Sequence, residues 1–231
     1  DSASAGAVEL DCLNKTGSWT QRKNSAKKRA LLFVKDLYQS YKAREQALKT
    51  PFSFDNELFA FFMSFFKYKD TKDQAVAWKE ILRDLLSDKP MYRLLCGDVG
   101  FGKTELALRA CFVAYYSKKQ AVVLAPTTIL SQQLYFGFKK RFSEVGATVV
   151  HLSRLAKNSK KHLSLFVDGK ADILIGTHAI LKSNEALKKA SLIIVDEEHR
   201  FGFKDKELIL QFSPNCDYLS MSATPIPRTL Q

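Results

Sequence analysis

The sequence is short of the features that mark secreted, metal-stapled or membrane proteins. Among 231 residues there are four cysteines, Cys12, Cys96, Cys111 and Cys216, with no C-x-x-C pair. That scatter argues against a structural zinc site and suits a reducing, cytoplasmic setting. Cys96 and Cys111 lie in apolar segments and are expected to be buried thiols. The four histidines are equally dispersed. No run of eighteen apolar residues occurs, so neither a membrane span nor a membrane partner is expected. Residues 1–10 lack a basic start followed by an apolar stretch, so no signal peptide is expected there, and both ends read as cuts through a longer protein. No internal repeat or low-complexity tract is present. Negative charge is also scarce: 24 acidic against 36 basic residues leave a formal net charge of +12. Such an excess points to a polyanionic partner, nucleic acid first. Part of it sits in residues 22–29, for which a solvated helix face is the other reading.

What is present is a chain able to build a core, with 46% hydrophobic residues. Residues 1–20 are small and polar. Residues 22–48 carry Ala30, Leu31, Val34, Leu37, Tyr38 and Tyr41 at helical spacing between basic residues, and Thr50-Pro51 ends that element. Residues 1–50 are therefore read as a basic helical lead-in, and 51–231 as the main domain. Five phenylalanines crowd residues 55–66 and predict a short helix docked on that domain. From Thr71, a candidate N-cap, helix and strand alternate. Strands are expected at 92–96, 121–125, 148–152, 172–176, 191–195 and 217–221. Helices are expected at 71–86, 103–117, 127–143, 158–168 and 203–211. Short apolar strands separated by helices imply an α/β fold with a parallel sheet covered on both faces, and a site at the carboxyl ends of its strands.

The sharpest pattern is Gly97-Asp98-Val99-Gly100-Phe101-Gly102-Lys103-Thr104, which fits G-x-x-x-x-G-K-[ST] at every fixed position. Glycines allow the tight turn that exposes backbone N–H groups to phosphate oxygens. Lys103 is placed to reach the β/γ-phosphates and Thr104 to offer its hydroxyl to Mg²⁺. The order strand, glycine loop, helix aims a helix N-terminus at the anion, and residues 97–105, through Glu105, are read as nucleotide-binding. The second pattern is the apolar run 192–195 ending in Asp196-Glu197-Glu198-His199. Carboxylates leaving a buried strand beside a phosphate loop suit a Mg²⁺ ligand, Asp196, and a water-orienting base, Glu197.

Four blocks resemble superfamily 2 helicase motifs: GDVGFGKTE (97–105), APTTIL (125–130), VDEEHRFG (195–202) and SATPIPRTL (222–230). Within that superfamily the chain resembles the transcription-repair coupling factors, bacterial double-stranded DNA translocases, and next the fork-remodelling helicases of the RecG type. The RecG type usually has Ser where Phe101 stands and Gln where Glu198 stands. The resemblance implies a RecA-like lobe that binds ATP and Mg²⁺ and acts on double-stranded DNA. It also implies RNA polymerase and excision-repair proteins as partners of the whole protein, with translocation pushing a stalled polymerase forward. Gln74 is similar to an adenine-reading glutamine, its amide able to meet a donor and an acceptor on the base edge. Gly176-Thr177-His178 resembles the segment that touches the tracking strand. Thr127 and Thr128 stand where hydroxyls hold DNA phosphates or simply cap a helix. Arg154 either faces the DNA backbone or forms a surface ion pair. Ser222 and Thr224, with His199, are candidates for transmitting nucleotide state, or for a turn before Pro225.

Two departures stand out. The usual Phe-Pro-aromatic-Glu approach to the glutamine reads Phe66-Lys67-Tyr68-Lys69 here, and the usual Thr-Ala-Thr reads Ser222-Ala223-Thr224. No glycine-rich or arginine-finger motif of a second lobe follows the SATPIPRTL block. The chain alone is therefore expected to bind nucleotide and hydrolyse it poorly. A nucleotide-binding docking module without motor output is the reading from another class.

Overall fold

The computed structural model describes residues 23–25, 27–28, 42, 44–153 and 158–223. Arg154 and Thr224 lie outside the described residues, as does most of the helix expected over 22–48. The chain divides into two compact units, residues 1–42 and 43–231. In the first, the described residues are helical and exposed.

The second unit is built on six strands, all paired in parallel. They are β1 (Tyr92–Cys96), β2 (Gln120–Leu124), β3 (Val149–Leu152), β4 (Ile173–Gly176), β5 (Ala190–Val195) and β6 (Asp217–Ser222), in the order β1-β6-β5-β2-β4-β3. Each expected strand is present, within a residue or so at its ends. The α-helices are α1 (Asn56–Ser64), α2 (Lys72–Leu85), α3 (Lys103–Tyr116), α4 (Thr128–Ser143), α5 (Ser159–Val167), α6 (Asn184–Lys189) and α7 (Phe203–Phe212). Helix α6 was not expected, although Ser183 caps it, Glu185 opens it and Lys188 and Lys189 close it, a full set of helix-end signals.

The pleat divides the core in two. Val123, Ile175, Ile194 and Leu219 face a cluster with Trp78, Ile81 and Leu85 of α2, Leu106 and Ala110 of α3, and Phe138 and Phe142 of α4. Val122, Leu124, Leu174 and Ile193 face the other cluster, with Phe166, Leu187 and Ile209. Strands apolar on both faces need cover on both, which these helices supply. The phenylalanine-rich segment docks as expected: Phe62 stacks on Phe112 with ring centroids 4.4 Å apart, and Phe59 on Trp78 at 5.1 Å. Phe61, on the opposite side of α1, is exposed.

Strand β1 departs from the expectation of a buried run. Tyr92, Leu94 and Cys96 are exposed, so Cys96 is not a buried thiol, whereas Cys111 is. The cause is topological: β1 is the edge strand beside β6, and its Tyr92-Leu94-Cys96 face lies beyond the second cluster, whose members include none of these three.

At the amino ends of the strands a buried ionic pin ties the residues before α1 to the sheet. Lys49 Nζ lies 2.7 Å from Asp217 Oδ2 and also donates to the Leu85 carbonyl, while the Met91 N–H donates to Asp217 Oδ1 at 2.6 Å. Arg44 donates from Nη2 to the Met91 and Cys216 carbonyls. Asp217 is fully buried, and burial pushes its carboxyl up to about 6, against the pull of Lys49. A folded pKa above the unfolded one means that the folded state holds the proton more tightly, so stability falls as pH rises between the two values. Denaturation at about pH 4 and about pH 6 is expected to show the chain losing about 2 kcal/mol more than Asp217→Asn over that interval. Equal losses would show that Asp217 ionises normally.

Candidate active site

Because every strand is parallel, all carboxyl ends lie on one side of the sheet. Three backbone hydrogen bonds tie the chain together just past that edge: Gly97 N–H to the Ser222 carbonyl at 3.2 Å, Asp196 N–H to Leu124 at 2.8 Å, and Ala125 N–H to Gly176 at 2.8 Å. The segments that follow β1, β2, β4 and β5 therefore emerge side by side. Each holds one of the motifs singled out in the sequence.

The 97–104 loop leaves β1 and enters α3. Gly100 has φ +88°, and Gly102, the N-cap of α3, has φ +71°, both in the left-handed region that favours glycine. Phe101 N–H bonds the Asp98 carbonyl and Glu105 N–H the Gly102 carbonyl. Among the described residues, the N–H groups of Gly100, Gly102, Lys103 and Thr104 make no backbone bond, as the first turn of a helix requires. They form a cradle of donors at a positive helix end, with the Thr104 hydroxyl exposed beside them. Lys103 arches over the loop and donates from Nζ to the Gly97 and Asp98 carbonyls, at 2.5 and 2.8 Å. Val99 and Phe101 point outward, 85% and 53% exposed.

Asp196 begins where β5 ends. Burial and the Glu197 carboxylate push its carboxyl above the ordinary value, while the Glu197 N–H, at 3.0 Å, and the Lys103 ammonium pull it back. Phosphate-loop lysine and Asp196 thus lie within electrostatic reach across β6. Glu197 holds φ +50°, ψ 54°, a left-handed conformation in a non-glycine residue that costs about 1 kcal/mol and recurs at functional sites. This turn sets the Glu197 carboxylate 3.3 Å from His199 Nδ1. His199 Nδ1 in turn lies 3.4 Å from Ser222 Oγ, on the strand whose carbonyl holds Gly97. Glu198 is engaged elsewhere, with Lys206 at 3.0 Å.

Gln74 belongs to a capping box at the start of α2: its Oε1 accepts from Thr71 N–H at 2.9 Å, and its own N–H bonds Thr71 Oγ1. Its Nε2 donates to the Phe101 carbonyl at 2.7 Å, which ties α2 to the phosphate loop.

The remaining candidates divide. Thr127 is exposed and caps α4, accepting from Leu130 N–H, and Thr128 opens that helix. Gly176 and Thr177 are buried. A Cβ at Gly176 would stand 2.3 Å from the Leu152 carbonyl, so glycine is needed there for packing between β3 and β4. His178 is the accessible member of its segment, stacked on Phe201 at 4.4 Å and 3.5 Å from Asp205. Sequence reading did not single out His151. It is buried against Tyr135, with Nε2 3.0 Å from Ser131 Oγ, and anchors α4 to β3 behind Thr127 and Thr128.

A Cβ at Gly102 would lie 2.5 Å from Gln74 Nε2 on a backbone that resists side chains. Gly102→Ala is therefore expected to weaken binding of a fluorescent ATP analogue by about tenfold or more. Unchanged affinity would show that the left-handed turn is dispensable.

The chain is 46% identical over 225 residues to the transcription-repair-coupling factor of Borreliella burgdorferi, and 42% identical over 229 residues to that of Escherichia coli. These alignments take in 96% and 97% of the chain but 20% of each relative, so the chain spans a fifth of their length. Among solved structures, that of RecG bound to a three-way DNA junction superposes with a TM-score of 0.69 at 35% identity, over 87% of this chain and 27% of that one. The DEAD/DEAH box helicase family matches residues 71–231, from the cap of α2 through the whole sheet, and the chain belongs to that family.

Proposed function

We propose that the chain is the ATP-binding first lobe of a double-stranded DNA translocase, one that uses ATP hydrolysis to displace stalled RNA polymerase and couple transcription to nucleotide excision repair. The observation that carries the enzymatic part is the meeting of the phosphate cradle, Asp196, Glu197 and His199 at one sheet edge, with Ser222 bridging them. The biological part rests on the coupling-factor relatives, which are more similar in sequence than RecG is.

The residues present fit a nucleoside triphosphate and its metal. Unbonded N–H donors at a helix start suit phosphate oxygens, and Lys103 has a third ammonium proton beyond the two given to carbonyls. In the proposed roles Gly97 through Glu105 line the nucleotide, the Glu105 carboxylate itself being taken up by Arg109 and Arg141, while Thr104 and Asp196 would hold Mg²⁺ and Gln74 reads adenine. Bound Mg²⁺ supplies charge neutralisation at the phosphate oxygens. Glu197 orients and polarises the attacking water, and His199, paired with Glu197 and Ser222, reports the state of the site to β6. Thr127, Thr128 and His178 offer hydroxyl and imidazole groups to a DNA backbone along the same edge. Arg154 and Thr224 keep their proposed roles, backbone contact and coupling. Catalysis at full rate needs arginines from a partner lobe, worth about 10³–10⁵ in rate in related enzymes.

The test separates binding from chemistry. The chain is expected to bind an ATP analogue with Mg²⁺, Lys103→Ala to lose that binding, and Glu197→Gln to keep it. Full-motor hydrolysis by the chain alone would contradict the two-lobe account, and binding that survives Lys103→Ala would contradict the assigned site.

A further inference from the structure

Behind the phosphate loop lies a buried ionic network. Arg109 of α3 is 1% exposed. Its Nη1 and Nη2 fork onto Asp70 Oδ2 and Oδ1 at 2.8 and 2.6 Å, and its Nε lies 3.3 Å from Glu105 Oε1. Arg141 of α4 approaches the same Glu105 oxygen at 3.3 Å. The Arg109 guanidinium sits 5.4 Å from the Phe66 ring and 6.0 Å from Trp78. Two guanidiniums face two carboxylates, so charge balances around the buried Arg109 and Glu105, with Asp70 at the solvent edge of the network. The Arg109 hydrogen bonds, opposed by burial, hold the Asp70 carboxyl below its ordinary range. A bidentate Arg–carboxylate pair fixes direction as well as distance.

Asp70 immediately precedes Thr71, the cap that holds Gln74. Gln74 Oε1 is spoken for by Thr71 N–H and Nε2 by the Phe101 carbonyl. Two partners of opposite polarity set which end of the amide is oxygen. One lone pair and one N–H remain, an acceptor and a donor side by side. Adenine's edge offers N6–H₂ and N7 to such a pair, whereas guanine presents two acceptors, O6 and N7. The loop leading to this point carries the exposed Lys67 and Lys69, and its last residue, Asp70, is the one that Arg109 holds.

We propose that Arg109 and Asp70 are positioning residues for base recognition, fixing through Thr71 the amide orientation with which Gln74 selects adenine. This rests on the adenine-reading role given to Gln74 above. The test is equilibrium binding of ATP, GTP and inorganic tripolyphosphate, each with Mg²⁺, to the 231-residue chain and its variants. Asp70→Asn is expected to weaken ATP about tenfold while tripolyphosphate changes by less than about twofold, so the ATP-to-GTP preference shrinks. Arg109→Lys keeps the charge and loses the fork, and is expected to show the same base-selective loss. Thr71→Ala removes the hydroxyl that accepts from Gln74 N–H, loosening the same turn at an exposed position where folding is least threatened. A purely structural network would lower ATP and tripolyphosphate affinity equally, and that result overturns the proposal. Gln74→Ala separates the two levels. If it leaves the ATP-to-GTP ratio unchanged, the adenine-reading role itself fails. If it abolishes the preference while the Asp70, Arg109 and Thr71 variants keep it, the positioning role alone fails.

Discussion

The placement of β6 between β1 and β5 is the constraint on which the site depends. Parallel pairing in this register brings Cys96 level with Ser222, and Val195 level with Ser220. The phosphate loop and Asp196 must then leave the sheet two strands apart, on the same side. That spacing leaves room for a phosphate chain and lets Lys103 act electrostatically on Asp196. Ser222 holds Gly97 through its carbonyl and faces His199 with its hydroxyl, so the middle strand touches both halves of the site. A shift of β6 by one residue would turn its side chains to the other face of the sheet and break both contacts.

Two buried ionic clusters brace this arrangement from opposite ends. Lys49 and Arg44 fasten the entering chain to the amino ends of β1 and β6, and Arg109 fastens the loop before α2 to the phosphate-loop helix. In each, one carboxylate accepts from more than one donor. Such added hydrogen bonds offset the cost of burying Asp217 and Arg109, and removing the partner of either leaves a charge without solvent. Hydrophobic packing supplies the bulk of the stabilisation but is non-directional. The clusters supply direction, which is what a site assembled from separate loops requires.

Most of the architecture was legible because its signals are local. The apolar runs of β2, β4 and β5, the caps at Thr71 and Thr127, and the glycines at 100 and 102 each announce themselves within a few residues. The same holds for Lys103 and the Asp196-Glu197 pair. What escaped depends on distance along the chain. Exposure of β1 follows from its place at the sheet edge, which no property of YRLLC encodes. The packing role of Gly176 depends on a carbonyl 24 residues earlier in the sequence, that of Leu152. The Gln74–Phe101 bond spans 27 residues, Arg109–Asp70 spans 39 and Lys49–Asp217 spans 168. Single charged residues in helices carry no periodic mark of such partners. The left-handed turn at Glu197 was equally hidden, since glutamate is not a residue that signals one.

We propose that one edge of this sheet binds nucleotide and duplex DNA as coupled ligands. The most direct measurement is the affinity of the chain for duplex DNA at fixed salt, with and without a non-hydrolysable ATP analogue and Mg²⁺, together with the reciprocal nucleotide titration. Salt-sensitive DNA binding that the nucleotide changes is expected, with a change of the same factor in nucleotide affinity when DNA is present. DNA binding indifferent to nucleotide, or none at all, would contradict it.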